Sequence, residues 1–289
     1  MGEIEATRSG KTHKTENFPV ASKFVRAEHR PLIMAFYDFA RRSDDIADDP
    51  AFAPDEKVRR LDLMEAGLLG EADGAEAKAL RAALKTRDMS ARHARDLLIA
   101  FRADATKLRY ADWWELMGYC AYSANPVGRF VLDVHGEDED LWPASDAICS
   151  ALQIINHLQD CGDDYAKLDR VYLPQDRLAA QGAGPEALGA PRASPALRAT
   201  LVELTERTRG LLRQGRTLPG DVRDRRLKLE LQVIYALAEA HIDRLLVMDP
   251  LAKRAKLPRW RMAQVALSAV VGGFLYGTPG SARVSEARP

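Results

Sequence analysis

The chain has 289 residues, 46% of them hydrophobic, and its 42 basic residues are matched by 42 acidic ones. That length and apolar content suffice for one sizeable core, and the charge balance argues against a nucleic-acid-wrapping surface or an acidic tail. Three cysteines, Cys120, Cys149 and Cys161, lie in apolar stretches and fit reduced core thiols rather than a disulfide framework.

Residues 1–15 read as a flexible tail without the apolar run of a secretory signal, so a cytoplasmic protein is expected. Residues 16–277 read as one domain. Apolar residues recur there at three and four positions, β-branched alternation is scarce, and the expected class is all-α. The first helix follows "ENFPVASKFV" and runs from Arg30 to Ala47, with Pro31 suited to its first turn. Further helices are expected at about 55–70, 74–86, 90–106 and 111–132.

A polar break, "HGEDEDLWPAS", precedes a helix from about Asp146 to Tyr165. "QGAGPEALGAPRASP" is the clearest loop, after which helices resume at about 196–216, 221–248 and 258–276. The apolar run from Met262 to Gly277 contains Gly272 and Gly273 and is shorter than the roughly 20 residues that cross a bilayer; it reads as a packed terminal helix. Residues 278–289 read as a second flexible tail.

Chemistry concentrates in two places. In "YDFARRSDDIADDP", Tyr37, Arg41, Asp44 and Asp48 fall four, three and four residues apart, which on an α-helix is one face. In "ALQIINHLQDCGDDYAKLDRVYLP", Gln153, Asn156, Asp160 and Asp164 fall three, four and four apart, again one face. Carboxylates one turn apart repel and need a cation. An oxygen-only donor set suits Mg²⁺, which takes one or two carboxylates and completes its shell from water and phosphate. Asp45, Asp49 and Asp163 fall off the stripes and read as solvated helix faces. No HExxH, paired CxxC or Glu-x-x-His pattern supports another metal chemistry.

These motifs resemble the squalene/phytoene synthase family, the head-to-head prenyl synthases, over nearly the whole chain. The matching features are the two aspartate motifs, Gln153, "RVYLP" at Arg170–Pro174, Phe18 upstream, and Tyr235 in "LQVIYALAEAHIDRL". The resemblance implies an isoprenoid synthase helical bundle around a central cavity. It implies that Asp44, Asp48, Asn156, Asp160 and Asp164 hold Mg²⁺ and diphosphate, and that Arg41 and Tyr235 contact phosphate oxygens. Phe18, Gln153, Asn156, Arg170 and Tyr172 would complete the substrate site.

Where the family usually has Ala-Gly-x-Val-Gly, this chain has "YCAYSANPVGRF". Pro126 should kink the helix there, and Ser123 and Asn125 bring polar groups towards a cavity expected to be apolar. "SANPVGR" and "ENFPVAS" are most similar to the bacterial hydroxysqualene synthase branch of squalene and hopanoid biosynthesis. That implies presqualene diphosphate as substrate, water as the quenching nucleophile and a presqualene diphosphate synthase as functional partner. Tyr37, Tyr122, Ser123 and Asn125 are the expected holders of that water. No Gly-rich dinucleotide fingerprint is present, and no NADPH is expected. The nearest alternative is a synthase that condenses two prenyl diphosphates; one of another class is a non-catalytic helical binding or assembly protein. "KRAKLPRWRM", with basic residues around Leu257 and Trp260, suits peripheral contact with the inner membrane surface.

Overall fold

The computed structural model describes residues 25–253 and 255–276. Among them every named element is helical, and the one β-like contact is an isolated bridge between Arg109 and Val171. The order is α1 Arg30–Asp48, α2 Pro54–Leu69, α3 Ala75–Lys85, α4 Arg92–Thr106, α5 Trp113–Ser123, α6 Asn125–Val134, α7 Trp142–Leu168, α8 Gln175–Ala180, α9 Pro195–Gln214, α10 Leu218–Asp221, α11 Arg225–Val247 and α12 Arg259–Tyr276.

Local chemistry sets several boundaries. Ser194 Oγ accepts from Leu197 N–H at the start of α9, and Asp224 Oδ1 accepts from Arg226 and Leu227 N–H at the start of α11, as N-caps do. The expected helix 111–132 is two helices. Ala124 leaves helical geometry (φ −126°, ψ −46°), and Pro126 falls in the first turn of α6, where its missing N–H costs nothing. Helix α7 starts at Trp142, four residues before the expected position, because Pro143 also occupies a first turn. The short α8 has no counterpart among the expected helices; its six residues are too few to show a period.

Two apolar clusters result. One joins α1 to α4 around Phe39, Ile46, Leu61 and Leu80, and takes Phe130 and Val134 from α6. The other is built on α7, with α5, α9 and α11 around it, and includes Ile154, Ile155, Leu201 and Ile242. Helix α12 packs on α11. The three cysteines are unbridged, and burial pushes each thiol up to about 12.

Candidate active site

A cavity of 260 Å³ lies between four helices. Each contributes one face at helical spacing: Ile33, Phe36, Tyr37 and Ala40 from α1; Val127, Gly128 and Val131 from α6; Ser145, Ile148, Cys149 and Leu152 from α7; and Leu227, Glu230, Leu231 and Ile234 from α11. Gly128 permits the α6–α7 approach, since a Cβ there would lie 2.3 Å from Ser145 Oγ and 2.5 Å from Cys149 Sγ.

The acidic stripes continue two of these faces. On α1, Asp44 is seven residues beyond Tyr37, a rise of about 10 Å; on α7, Asp160 is eight beyond Leu152, about 12 Å. Both helices therefore run from an apolar wall to a carboxylate end. Asp44, Asp48, Asp160 and Asp164 have side chains 32%, 32%, 31% and 22% exposed. Three face a protein cation: Arg41 lies 2.8 Å from Asp44, Arg170 2.6 Å from Asp48, and Lys256 3.1 Å from Asp160. His157 Nδ1 is 3.8 Å from Asp164.

A buried network joins the stripes. Asp169 adopts the left-handed region (φ 51°) and reverses the chain after α7, which brings Arg170 back against α1. The Arg170 guanidinium donates to Asp48 Oδ1 (2.6 Å), Ala47 O (3.0 Å) and Asp104 O (3.0 Å). The Asp104 carboxylate accepts from the hydroxyls of Tyr119 and Tyr172, both at 2.8 Å. Burial raises the Asp104 pKa, against the opposing pull of Arg170. Tyr172 stacks on His157 at 3.5 Å between ring centroids, and His157 Nε2 is 3.2 Å from Gln153 Nε2. Hydrogen bonds, the Arg170–Tyr172 backbone and the Tyr172–His157 ring stack thus connect Asp48 on α1 to Gln153 on α7.

The sequence model of squalene/phytoene synthases matches residues 11–261. The chain belongs to the squalene/phytoene synthase family. It is 51% identical over 290 residues to a hydroxysqualene synthase of Rhodopseudomonas palustris, covering 100% of this chain and 99% of that one. It is 44% identical to a hydroxysqualene synthase of Zymomonas mobilis, covering 91% and 90%. Among solved structures, squalene synthase HpnC from Alicyclobacillus acidocaldarius is 33% identical with a TM-score of 0.69, covering 78% of this chain and 85% of that one. A dehydrosqualene synthase at 19% identity has a TM-score of 0.77, covering 88% and 90%, and shares the helical fold.

Within this squalene/phytoene synthase, the residues expected at the site fall into distinct places. Tyr37 lines the cavity. Tyr235 is partly buried against the α7 cluster, and burial raises its pKa. Arg170 and Tyr172 are buried, with the bonds named above directed into protein. Asn125 is buried and its Oδ1 accepts from Ser150 Oγ at 2.8 Å. The Ser123 hydroxyl is buried with no hydrogen-bond partner among the described residues. Tyr122 is exposed and lines a separate surface groove with Ile99 and Lys107. Phe18 lies outside the described residues.

Two solvated-face expectations are corrected. Asp45 is buried, where Arg41 donates to it at 2.9 Å, and buried Asp49 accepts from Ala51 N–H at 2.9 Å. Both are covered by the surrounding fold, which the helix period alone does not show. Asp163 is half exposed and pairs with Lys167. Sequence reasoning also missed Asp104, His157, Glu230 and Lys256. Asp104 and Glu230 did carry a signal: each interrupts an apolar stripe, Leu97–Ala100–Asp104 and Leu227–Glu230–Leu231–Ile234.

Proposed function

We propose that this chain ionises presqualene diphosphate and ends the reaction with water, giving hydroxysqualene and diphosphate. The observation that carries this reading is the pairing of an apolar cavity with two carboxylate stripes on the same helix faces. A diphosphate belongs at the acidic end and the hydrocarbon belongs in the cavity. The hydroxysqualene synthase relatives, at 44% and 51% identity over at least nine-tenths of this chain, support the choice of reaction.

The donor set fits Mg²⁺. Among the described residues no three His, Cys, Asp or Glu side chains converge on one point; the carboxylates come as pairs one turn apart, the number Mg²⁺ takes when phosphate and water complete its shell. Asp44, Asp48, Asn156, Asp160 and Asp164 would hold it, and when bound it supplies positive charge that stabilises the departing diphosphate. Arg41, ion-paired with Asp44, is placed to share that charge. The C–O electron pair leaves with the diphosphate. The walls of Ile33, Phe36, Leu152 and Ile234 keep bulk water from the cation until rearrangement is complete. Tyr37, whose side chain reaches the cavity, is the best placed of the four expected water holders.

A presqualene diphosphate synthase would supply the substrate. Delivery from the inner membrane surface is supported by α12, whose Trp260, Leu267 and Val271 are 69%, 66% and 46% exposed beside Arg259 and Arg261. Among the described residues no helix is long and apolar enough to cross a membrane.

The test is product analysis by mass spectrometry with Mg²⁺ and either presqualene diphosphate or farnesyl diphosphate. Hydroxysqualene from presqualene diphosphate without NADPH is expected. Consumption of farnesyl diphosphate instead makes the protein a condensing synthase. Asp44→Ala and Asp160→Ala should each lower diphosphate release by about 100-fold or more.

A further inference from the structure

Among the described residues lining the cavity, one carries a carboxylate. Glu230 is 5% exposed, sits on the cavity face of α11 between Leu227 and Ile234, and lines the same space as Tyr37. Its neighbours in the stripe, Leu227, Leu231 and Ile234, are apolar, so an acidic group enters the wall at the position of Glu230.

Its depth follows from α7. Gln159 Nε2 lies 2.7 Å from His241 Nδ1, and the cavity-lining residues of the two helices precede that contact in the same order, so α7 and α11 run parallel. Glu230 is eleven residues before His241, level with Ile148, and thus about 12 Å in helical rise below Asn156. It faces the hydrocarbon region and not the carboxylate end.

Capture of a carbocation by water leaves a proton to be removed. The water oxygen gives its lone pair to the cationic carbon, the C–O bond forms, and the resulting oxonium must lose H⁺ to a base. Among the described residues lining the cavity, Tyr37, Ser145, Cys149 and Glu230 carry exchangeable or ionisable groups. Tyrosine and serine hydroxyls are poor bases near neutral pH. Cys149 is a thiol there, since burial pushes its pKa up to about 12.

We propose that Glu230 is the catalytic base of the quench: its carboxylate orients the capturing water and takes the proton as the carbon–oxygen bond forms. This deepens the hydroxysqualene reading and rests on it. The leaving diphosphate is the competing base, and the depth of Glu230 separates the two: a base remote from diphosphate directs water to a different face of the cation.

The experiment measures hydroxysqualene and released diphosphate together, for wild type, Glu230→Gln and Glu230→Asp, with presqualene diphosphate and Mg²⁺. The expected result is a hydroxysqualene-to-diphosphate ratio at least tenfold lower in Glu230→Gln, with elimination products or isomeric alcohols making up the difference, and partial recovery in Glu230→Asp. Equal ratios in all three overturn the proposal, as does a Glu230→Gln loss in which both products fall in proportion. If Glu230→Gln does not fold, Glu230→Leu, which matches the apolar neighbours in the stripe, is read on the same criterion. Wild type that forms no hydroxysqualene refutes the underlying reading instead.

Discussion

Arg170→Lys isolates the network that holds the first stripe in place. The guanidinium makes three bonds at once, to Asp48 Oδ1, Ala47 O and Asp104 O. An ammonium has a single centre and cannot span a side chain and two carbonyls lying in different directions. Two charge-assisted bonds are lost at about 1.5 kcal/mol or more each, giving roughly 3 kcal/mol of destabilisation. For a chain of this size that lowers Tm by about 6 °C or more. Asp48 also loses its orienting partner, and loss of such a group behind a metal ligand typically costs about 10–100-fold in metal affinity. The assay is thermal unfolding without Mg²⁺ together with a Mg²⁺ titration of diphosphate release. An unfolding midpoint within 1 °C of wild type and an unshifted Mg²⁺ curve would refute the reasoning, and Arg170 would then be a bystander.

Gly128→Ala drives a methyl into Ser145 Oγ and Cys149 Sγ, both on the rigid α7; a loss of about 1–3 kcal/mol in denaturant unfolding is expected, as for overpacked cores. His241 is fully buried and its pKa is depressed to about 4 by burial, with Lys256 and Arg244 adding to the effect. The unfolded chain therefore binds the extra proton between about pH 6.5 and 4, so its contribution is complete above 6.5 and lost as pH falls, by about 3 kcal/mol in all. His241→Gln, which can keep the bond to Gln159, should flatten the stability profile in that window. Asn125→Ala strands the buried Ser150 hydroxyl and should cost about 1–3 kcal/mol in urea unfolding.

The helix period and the turn residues determined most of the architecture. Pro31, Pro126, Ser194 and Asp224 act through the chain immediately around them, and a helix face depends only on spacing along one element. For the same reason the two acidic stripes were legible residue by residue. Tertiary structure decided what lies across from each stripe. Arg170 is 122 residues from Asp48, and Lys256 is nearly a hundred from Asp160, so no local pattern links them. Asp45 and Asp49 read as solvent-facing because the period places them off the stripe, yet neighbouring chain covers that side of α1 as well. Glu230 shows the limit most clearly: the sequence presents a charge within an apolar stripe, and only the meeting of α1, α6, α7 and α11 around one cavity turns it into a candidate base. A pattern along one helix fixes direction relative to that helix, whereas chemistry requires groups from several helices at one point, and packing supplies that convergence.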